Sequence, residues 1–270
     1  MNVKRLLNVW VLLLMFSTTV LADEYEGVQS LEETIRAANQ GVTEAQNNLA
    51  VIYRDGLGVP QDYKKAIKLY RLAADKGLPD AQFNLGIMYR DGKGVTKDDK
   101  EAMKWFRLAA EKGLADAQVL LSKIYHDGKG VPKDDQESIK WMRLAAEQGW
   151  ASAQYNLGMI YHEGKIIPKN DQEAEHWMRL AANQEFVRAQ TTLGSLYGLG
   201  DGVEKDLVLG CMWLNLAIVQ GDQIALKKRE QFHKEMTPEQ IAKAQELTDH
   251  WEPPALKAIE KPKKSSTLQR

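Results

Sequence analysis

The chain has 270 residues, with 36 Lys and Arg against 37 Asp and Glu, 44% hydrophobic residues and a single cysteine. This composition is that of an ordinary globular protein, and it excludes a disordered chain, a collagen and a disulfide-stapled miniprotein. A formal net charge of −1 provides no excess of cations to neutralise a phosphate backbone. We therefore expect no nucleic-acid partner.

Residues 1–22 have the pattern of a secretory signal peptide. Two cations precede an apolar run from Leu6 to Phe16, and the small and polar residues that follow lead to Ala22. The run is too short for a transmembrane helix, which needs about 20 residues. We predict cleavage near Ala22 and export of residues 23–270 to the periplasm, or secretion, with no transmembrane segment.

An internal repeat of 36 residues runs through most of the remaining chain. Five Ala-Gln pairs recur at this spacing, and the same offset carries a leucine, a tyrosine and a further alanine in each copy. Such a period indicates a solenoid, in which stacked units bury each other's apolar faces. The alanines of the pairs are Ala45, Ala81, Ala117, Ala153 and Ala189, and the glutamines are Gln46, Gln82, Gln118, Gln154 and Gln190.

Each copy is predicted to contain two amphipathic helices. Apolar residues recur at helical spacing on both sides of a glycine-containing loop, which ends the first helix because glycine tolerates positive φ. A second glycine closes the second helix, and the hydrophobic residue after it, such as Trp150, is expected to pack back onto that helix. Capping boxes are expected to open the second helices at Asp98 and Glu101, Asp134 and Glu137, and Asn170 and Glu173.

The repeat resembles a known family. The motif from Ala81 to Tyr89, the loop from Gly92 to Val95 and the run from Lys104 to Ala110 closely resemble the SEL-one-like repeat family, a relative of tetratricopeptide repeats. The resemblance implies an all-α, right-handed α/α superhelical solenoid of helix-loop-helix repeats with period 36. It also implies a scaffold for protein complexes, which in many exported bacterial members works in the periplasm or at the envelope.

The array is expected to occupy residues 23–222, as a half-repeat followed by five repeats. In the fourth repeat, Ile166 and Glu185 replace glycines, so these joints are expected to bend differently. Residues 223–251 are predicted to form capping helices that cover the last open face of the solenoid. Proline and lysine residues in 252–270 indicate a disordered basic tail.

No motif for catalysis, metal binding or nucleotide binding is present. The sequence contains no Cys-x-x-Cys, His-Glu-x-x-His, Gly-x-Ser-x-Gly or Walker loop, and no Ser-x-x-Lys of a serine β-lactamase. Some cysteine-rich members of the family are described as β-lactamase-like, but they carry a cysteine pair in each repeat. We therefore predict no catalytic residues, no metal and no cofactor. Envelope glycan binding and a hydrolase of that kind remain the alternatives.

Three groups of residues have both a chemical and a structural interpretation. His126 and His162 lie one repeat apart, too far for a shared metal ion, and are interpreted as solvated loop residues. A tryptophan ladder suggests sugar stacking, but its register favours core residues. Cys211 is interpreted as a buried small residue. The ladder consists of Trp105, Trp141, Trp177 and Trp213.

The surface of the first helices is the predicted binding site. In tetratricopeptide relatives, first-helix asparagines line a concave groove and hold the backbone of an extended peptide. On this resemblance we predict Asn48, Asn84 and Asn156 as contacts for a peptide or partner protein of the cell envelope. The alternative is that these amides bond within the scaffold or face water. The function predicted is a monomeric, non-catalytic interaction scaffold.

Overall fold

The computed structural model describes residues 30–253, so the predicted signal peptide and nearly all of the predicted tail lie outside the described residues. Within this range all regular structure is helical, and the predicted all-α fold of helix-loop-helix repeats is confirmed. Residues 30–39 belong to α1. The other helices are α2 (Thr43–Asp55), α3 (Tyr63–Asp75), α4 (Pro79–Asp91), α5 (Asp99–Glu111), α6 (Ala115–Asp127), α7 (Asp135–Glu147), α8 (Ala151–Glu163), α9 (Asp171–Asn183), α10 (Val187–Leu199), α11 (Leu207–Val219), α12 (Gln223–His233) and α13 (Pro238–Asp249).

The second helix of each repeat begins at a side-chain cap, but the predicted capping boxes are only half formed. Asp98 accepts hydrogen bonds from the N–H groups of Lys100 and Glu101, as an N-cap should. The N–H of Asp98 is already bonded to the Tyr89 carbonyl, so Glu101 is not needed there. The Glu101 carboxylate instead accepts from the Trp105 indole N–H at 2.8 Å. The complete box lies at Thr237 and Gln240, which opens α13.

The backbone at Glu185 has the left-handed conformation of the glycines that it replaces. Glu185 adopts a φ of +59°, the left-handed conformation that glycines adopt at the ends of the other second helices. Its N–H bonds to the Ala182 carbonyl at 3.0 Å, as the N–H of Gly149 bonds to Ala146 at 2.9 Å. The hydrogen bonds of the turn therefore hold a side chain in a strained backbone conformation. Ile166, by contrast, lies outside the left-handed region that its glycine counterparts occupy.

Replacing Glu185 with Gly is expected to stabilise the protein by about 1 kcal/mol, because glycine adopts positive φ without steric strain. The measurement is the free energy of unfolding in urea. The control is Gly149→Ala, which places a side chain at φ +92° and is expected to destabilise by a similar amount. A Glu185→Gly variant no more stable than the parent would show that the left-handed conformation stores no strain.

The chain divides into two compact units, the first ending at Leu114 and the second beginning at Ala115. In the first unit, α2 to α5 pack as two helix hairpins around Tyr70, Leu85 and Met88, all of which are fully buried. Gly86 permits the close approach of α4 and α5, since a Cβ there would lie 2.6 Å from the Phe106 ring. Small residues thus set the spacing between paired helices, and large residues fill the layers between them.

In the second unit, α6 to α11 form three further hairpins, and α12 and α13 complete the array. The sequence of α11 is apolar on nearly all sides, because α10, α12 and α13 each pack against it. α13 lies on α11, where Ala244 is buried and Trp251 contacts the Trp213 ring edge-on at 6.2 Å. The last repeat is therefore covered by α12 and α13.

Candidate functional site

The repeated glutamines are structural residues. In four repeats the buried side-chain amide donates to a carbonyl near the end of the preceding helix, eight residues earlier: Gln46 to Ala38, Gln82 to Ala74, Gln154 to Ala146 and Gln190 to Ala182. Four of the five accept from the residue 30 positions later: Gln46 from Lys76, Gln118 from Gln148, Gln154 from Gln184 and Gln190 from Gln220. Apart from Gln82 Oε1, which is buried without a hydrogen-bond partner among the described residues, these polar atoms bond inside the fold, and the side chains are not a binding surface.

A second set of contacts joins α3 to α4, α7 to α8 and α9 to α10. The guanidinium of Arg143 donates to the Tyr161 hydroxyl at 2.6 Å, and Arg71 and Arg179 make the same bond to Tyr89 and Tyr197. Burial, together with a hydrogen bond to Glu175, raises the pKa of Tyr197 to about 12. This hydroxyl therefore stays protonated near neutral pH and acts as a structural group.

The tryptophan ladder lies in the core, as predicted. Trp105, Trp141, Trp177 and Trp213 are exposed by only 6%, 6%, 2% and 5%. The indoles of Trp105 and Trp177 donate to a glutamate four residues earlier. These faces are not available for stacking on a sugar ring.

The three predicted contact asparagines have different environments. Asn84 is half-buried and engaged, since its carbonyl accepts from Arg54 at 3.3 Å and its amide donates to Asn47 at 3.4 Å. Asn48 is exposed and Asn156 is half-buried, and within residues 30–253 neither amide has a hydrogen-bond partner. Asn48 and Asn156 therefore have free amides, whereas Asn84 is held within the scaffold. Their role in binding stays a prediction.

The structure shows an aromatic surface beside Asn156 that the sequence analysis missed. Tyr155 packs against Phe186 with ring centroids 5.6 Å apart, and its hydroxyl lies 3.5 Å from Thr192 on the next first helix. Both rings are partly exposed. Trp150, the N-cap residue of the same helix, α8, is 41% exposed. The signal was partly present in the sequence, because Trp150 and Phe186 share a register position with Val42, Leu78 and Leu114. Tyr155 shares its position with Asn, Val and Thr in three repeats and with Phe83 in one.

His126 and His162 lie in the last turns of α6 and α8, not in loops as predicted, and they are not equivalent. His126 is exposed, as predicted, with Nδ1 3.1 Å from Asp135. For His162 the prediction is wrong, because its side chain is 18% exposed and lies between Asp171 at 3.6 Å and Asp201 at 3.5 Å. Asp201 belongs to the next repeat, so the imidazole is enclosed by two loops. No group of His, Cys, Asp or Glu side chains within residues 30–253 has an arrangement that fits a metal ion.

Cys211 is fully buried, as predicted. Its Sγ lies 3.4 Å from the Met236 sulfur, and burial raises the pKa of the thiol to about 11. A thiol with this pKa is uncharged at neutral pH and is a poor nucleophile. Its role is to fill space between α11 and the C-terminal helices.

Comparison with known proteins agrees with the repeat structure. A family model for the Sel1 repeat matches five consecutive segments of 36 residues, 43–78, 79–114, 115–150, 151–186 and 187–222. None of the curated proteins matches the chain. In the part of the chain that the structure describes, no helix has both the length and the apolar character needed to cross a bilayer.

Solved structures include similar proteins. A Sel1 repeat protein from Oxalobacter formigenes is 36% identical over 75% of this chain, with a TM-score of 0.68. The protective antigen c5321 of uropathogenic Escherichia coli, which has an SLR fold, is 30% identical over 82% of the chain, with a TM-score of 0.51. The match covers 58% of the first protein and 56% of the second, less than two thirds of each. The fold is that of a repeat scaffold, and the chain belongs to the Sel1 repeat family.

Proposed function

We propose that this protein is an exported, non-catalytic scaffold that binds an extended segment of a partner protein on the first-helix surface of its second unit. This surface consists of Trp150, which is the N-cap residue of α8, of Tyr155 and Asn156 on α8, and of the facing residues Phe186 and Thr192. Repeat arrays typically bind partners on such extended surfaces. The proposed location is the periplasm.

The observation that carries the proposal is the combination of a free amide with partly exposed aromatic rings. The buried glutamines and the ladder tryptophans are used within the fold, whereas the Asn156 amide has no partner within residues 30–253 and Trp150 is 41% exposed. An amide that both donates and accepts can bond to an extended peptide backbone. Adjacent aromatic rings supply apolar contact area, as in the centres of protein interfaces.

Glycan binding is the second candidate, and one observation favours it. Sugar recognition requires an exposed aromatic face, and Trp150 provides one, although the four ladder tryptophans do not. A β-lactamase-like activity has no comparable support, because the chain contains no Ser-x-x-Lys and one cysteine only. The test therefore has to separate a protein partner from a glycan.

The test is affinity capture from an envelope extract with the whole chain expressed in a bacterial host and purified from the periplasmic fraction. The variant Trp150→Ala/Asn156→Ala is compared with the control Lys64→Ala/Lys68→Ala, which changes exposed residues of α3. We expect a protein partner whose recovery falls at least about tenfold with the first variant and is unchanged with the control. The mass of the purified protein should correspond to a chain that begins at Asp23.

Three results would contradict the proposal. Equal recovery with both variants would show that the partner binds elsewhere. Recovery of peptidoglycan without protein would favour the glycan candidate. Retention of residues 1–22 in a cytoplasmic product would exclude export.

A further inference from the structure

α12 occupies the position of a first helix in an incomplete sixth repeat. Thr191 donates to Asp222, 31 residues later, which reproduces the contact between Tyr155 and Phe186 at the same spacing. Ala225, 36 residues after Ala189, is fully buried like the ladder alanines. α12 therefore continues the first-helix surface beyond α8 and α10, and its residues can be compared position by position with those of α8.

This register places lysines where α8 has its candidate contact residues. Lys227 and Lys228 lie 72 residues, or two repeats, after Tyr155 and Asn156. Lys227 is exposed and Lys228 is half-buried, and neither has an ion-pair partner within residues 30–253. The nearest acid in sequence, Glu230, forms no ion pair with either lysine, and Asp222 is engaged as the cap of α12 and by the Thr191 hydroxyl. These two cations are therefore not neutralised by the fold.

On α10, which lies between α8 and α12 in the chain, the first turn carries a cation where other first helices carry an acid. Arg188 is the second residue of α10, where α4 and α6 have the acids Asp80 and Asp116. A cation in the first turn opposes the helix dipole and costs about 0.3–1 kcal/mol. Arg188 is exposed and also has no ion-pair partner within residues 30–253. An unpaired cation at an unfavourable place in the helix is accounted for if an anionic ligand lies beside it.

We propose that the segment bound by the second unit is acidic at one end and apolar at the other. Its apolar side chain packs on Tyr155 and Trp150, and its Asp or Glu side chains pair with Arg188, Lys227 and Lys228. Neighbouring helix axes lie about 10 Å apart, so α8 and α12 are separated by about 20 Å. This distance corresponds to about six residues of extended chain. The inference rests on the proposed function, because it specifies the chemistry of the same surface.

The experiment uses a library of random twelve-residue peptides displayed on phage, panned against the purified whole protein. We expect the enriched peptides to combine an aromatic or large aliphatic residue with two or more acids about six positions away. Labelled synthetic copies of these peptides are then titrated against the protein. The variant Arg188→Glu/Lys227→Glu/Lys228→Glu should bind them at least about tenfold more weakly. Higher salt should also lower the affinity of the parent protein for these peptides.

The matched control is Lys64→Glu/Lys68→Glu/Lys100→Glu, which reverses three exposed lysines on the second helices and should change affinity less than about twofold. If the triple variant unfolds, the titration is repeated with the milder variant Lys228→Gln. Enriched peptides without acids, bound equally by all charge variants but lost with Trp150→Ala, would overturn this inference and leave the proposed function standing. Failure to enrich any peptide that depends on the first-helix surface would contradict both.

Discussion

Replacing Trp177 with Ala is expected to lower the free energy of unfolding by about 3–5 kcal/mol, the cost of truncating a large buried aromatic side chain. Trp177 is only 2% exposed and packs in the core formed by α7, α8 and α9, against Ala145, Ala146 and Leu157. Its loss would also leave Glu173 without the indole N–H that bonds to it at 3.0 Å. The measurement is urea unfolding followed by circular dichroism in the far ultraviolet.

The matched control is Trp150→Ala, which removes the same side chain from an exposed position. Trp150 is 41% exposed, so the expected loss of stability is no more than about 1 kcal/mol. Peptide binding, in contrast, should be lost with Trp150→Ala. A Trp177→Ala variant that stays within about 1 kcal/mol of the parent would contradict the assignment of the ladder to the core and would reopen the sugar-stacking interpretation.

Replacing Gly198 with Ala is expected to destabilise the second unit by about 2–3 kcal/mol, despite the better helix propensity of alanine. A methyl group on the Gly198 Cα would overlap the ring of Phe232, which is 5% exposed and fixes α12 against α10. Because backbone and ring cannot both keep their positions, α12 must shift. Since α12 carries Lys227 and Lys228, the same variant should also weaken binding of acidic peptides.

A double-mutant cycle checks this explanation. In a Phe232→Ala background the added methyl group has space, so Gly198→Ala should no longer destabilise the protein. There it should instead raise the free energy of unfolding by up to about 1 kcal/mol, because alanine has the better helix propensity. Equal effects of Gly198→Ala in both backgrounds would show that the glycine is not required for the approach of Phe232.

The repeat could be recognised in the sequence because each apolar residue has the same neighbours in every copy. Ala81, Leu85 and Tyr89 recur 36 residues apart since each must fit against a helix that is itself repeated. The array of helix hairpins and the burial of Cys211 and the ladder tryptophans follow from this period. The conformations and contacts of single residues that depart from the repeat could not be predicted in this way. The hydrogen bonds of the turn determine the conformation at Glu185, and the Tyr89 carbonyl frees Glu101 for an indole.

The polar residues required the tertiary structure because their roles depend on partners distant in sequence. Asn48, Asn84 and Asn156 occupy one register position, yet only Asn84 has Arg54 and Asn47 within hydrogen-bonding distance. The sequence alone therefore determined the family, the helix order and the core, since these follow from spacing that repeats along the chain. The tertiary structure decided which amides, rings and cations stay free, because a side chain is free only when every neighbouring element leaves it without a partner.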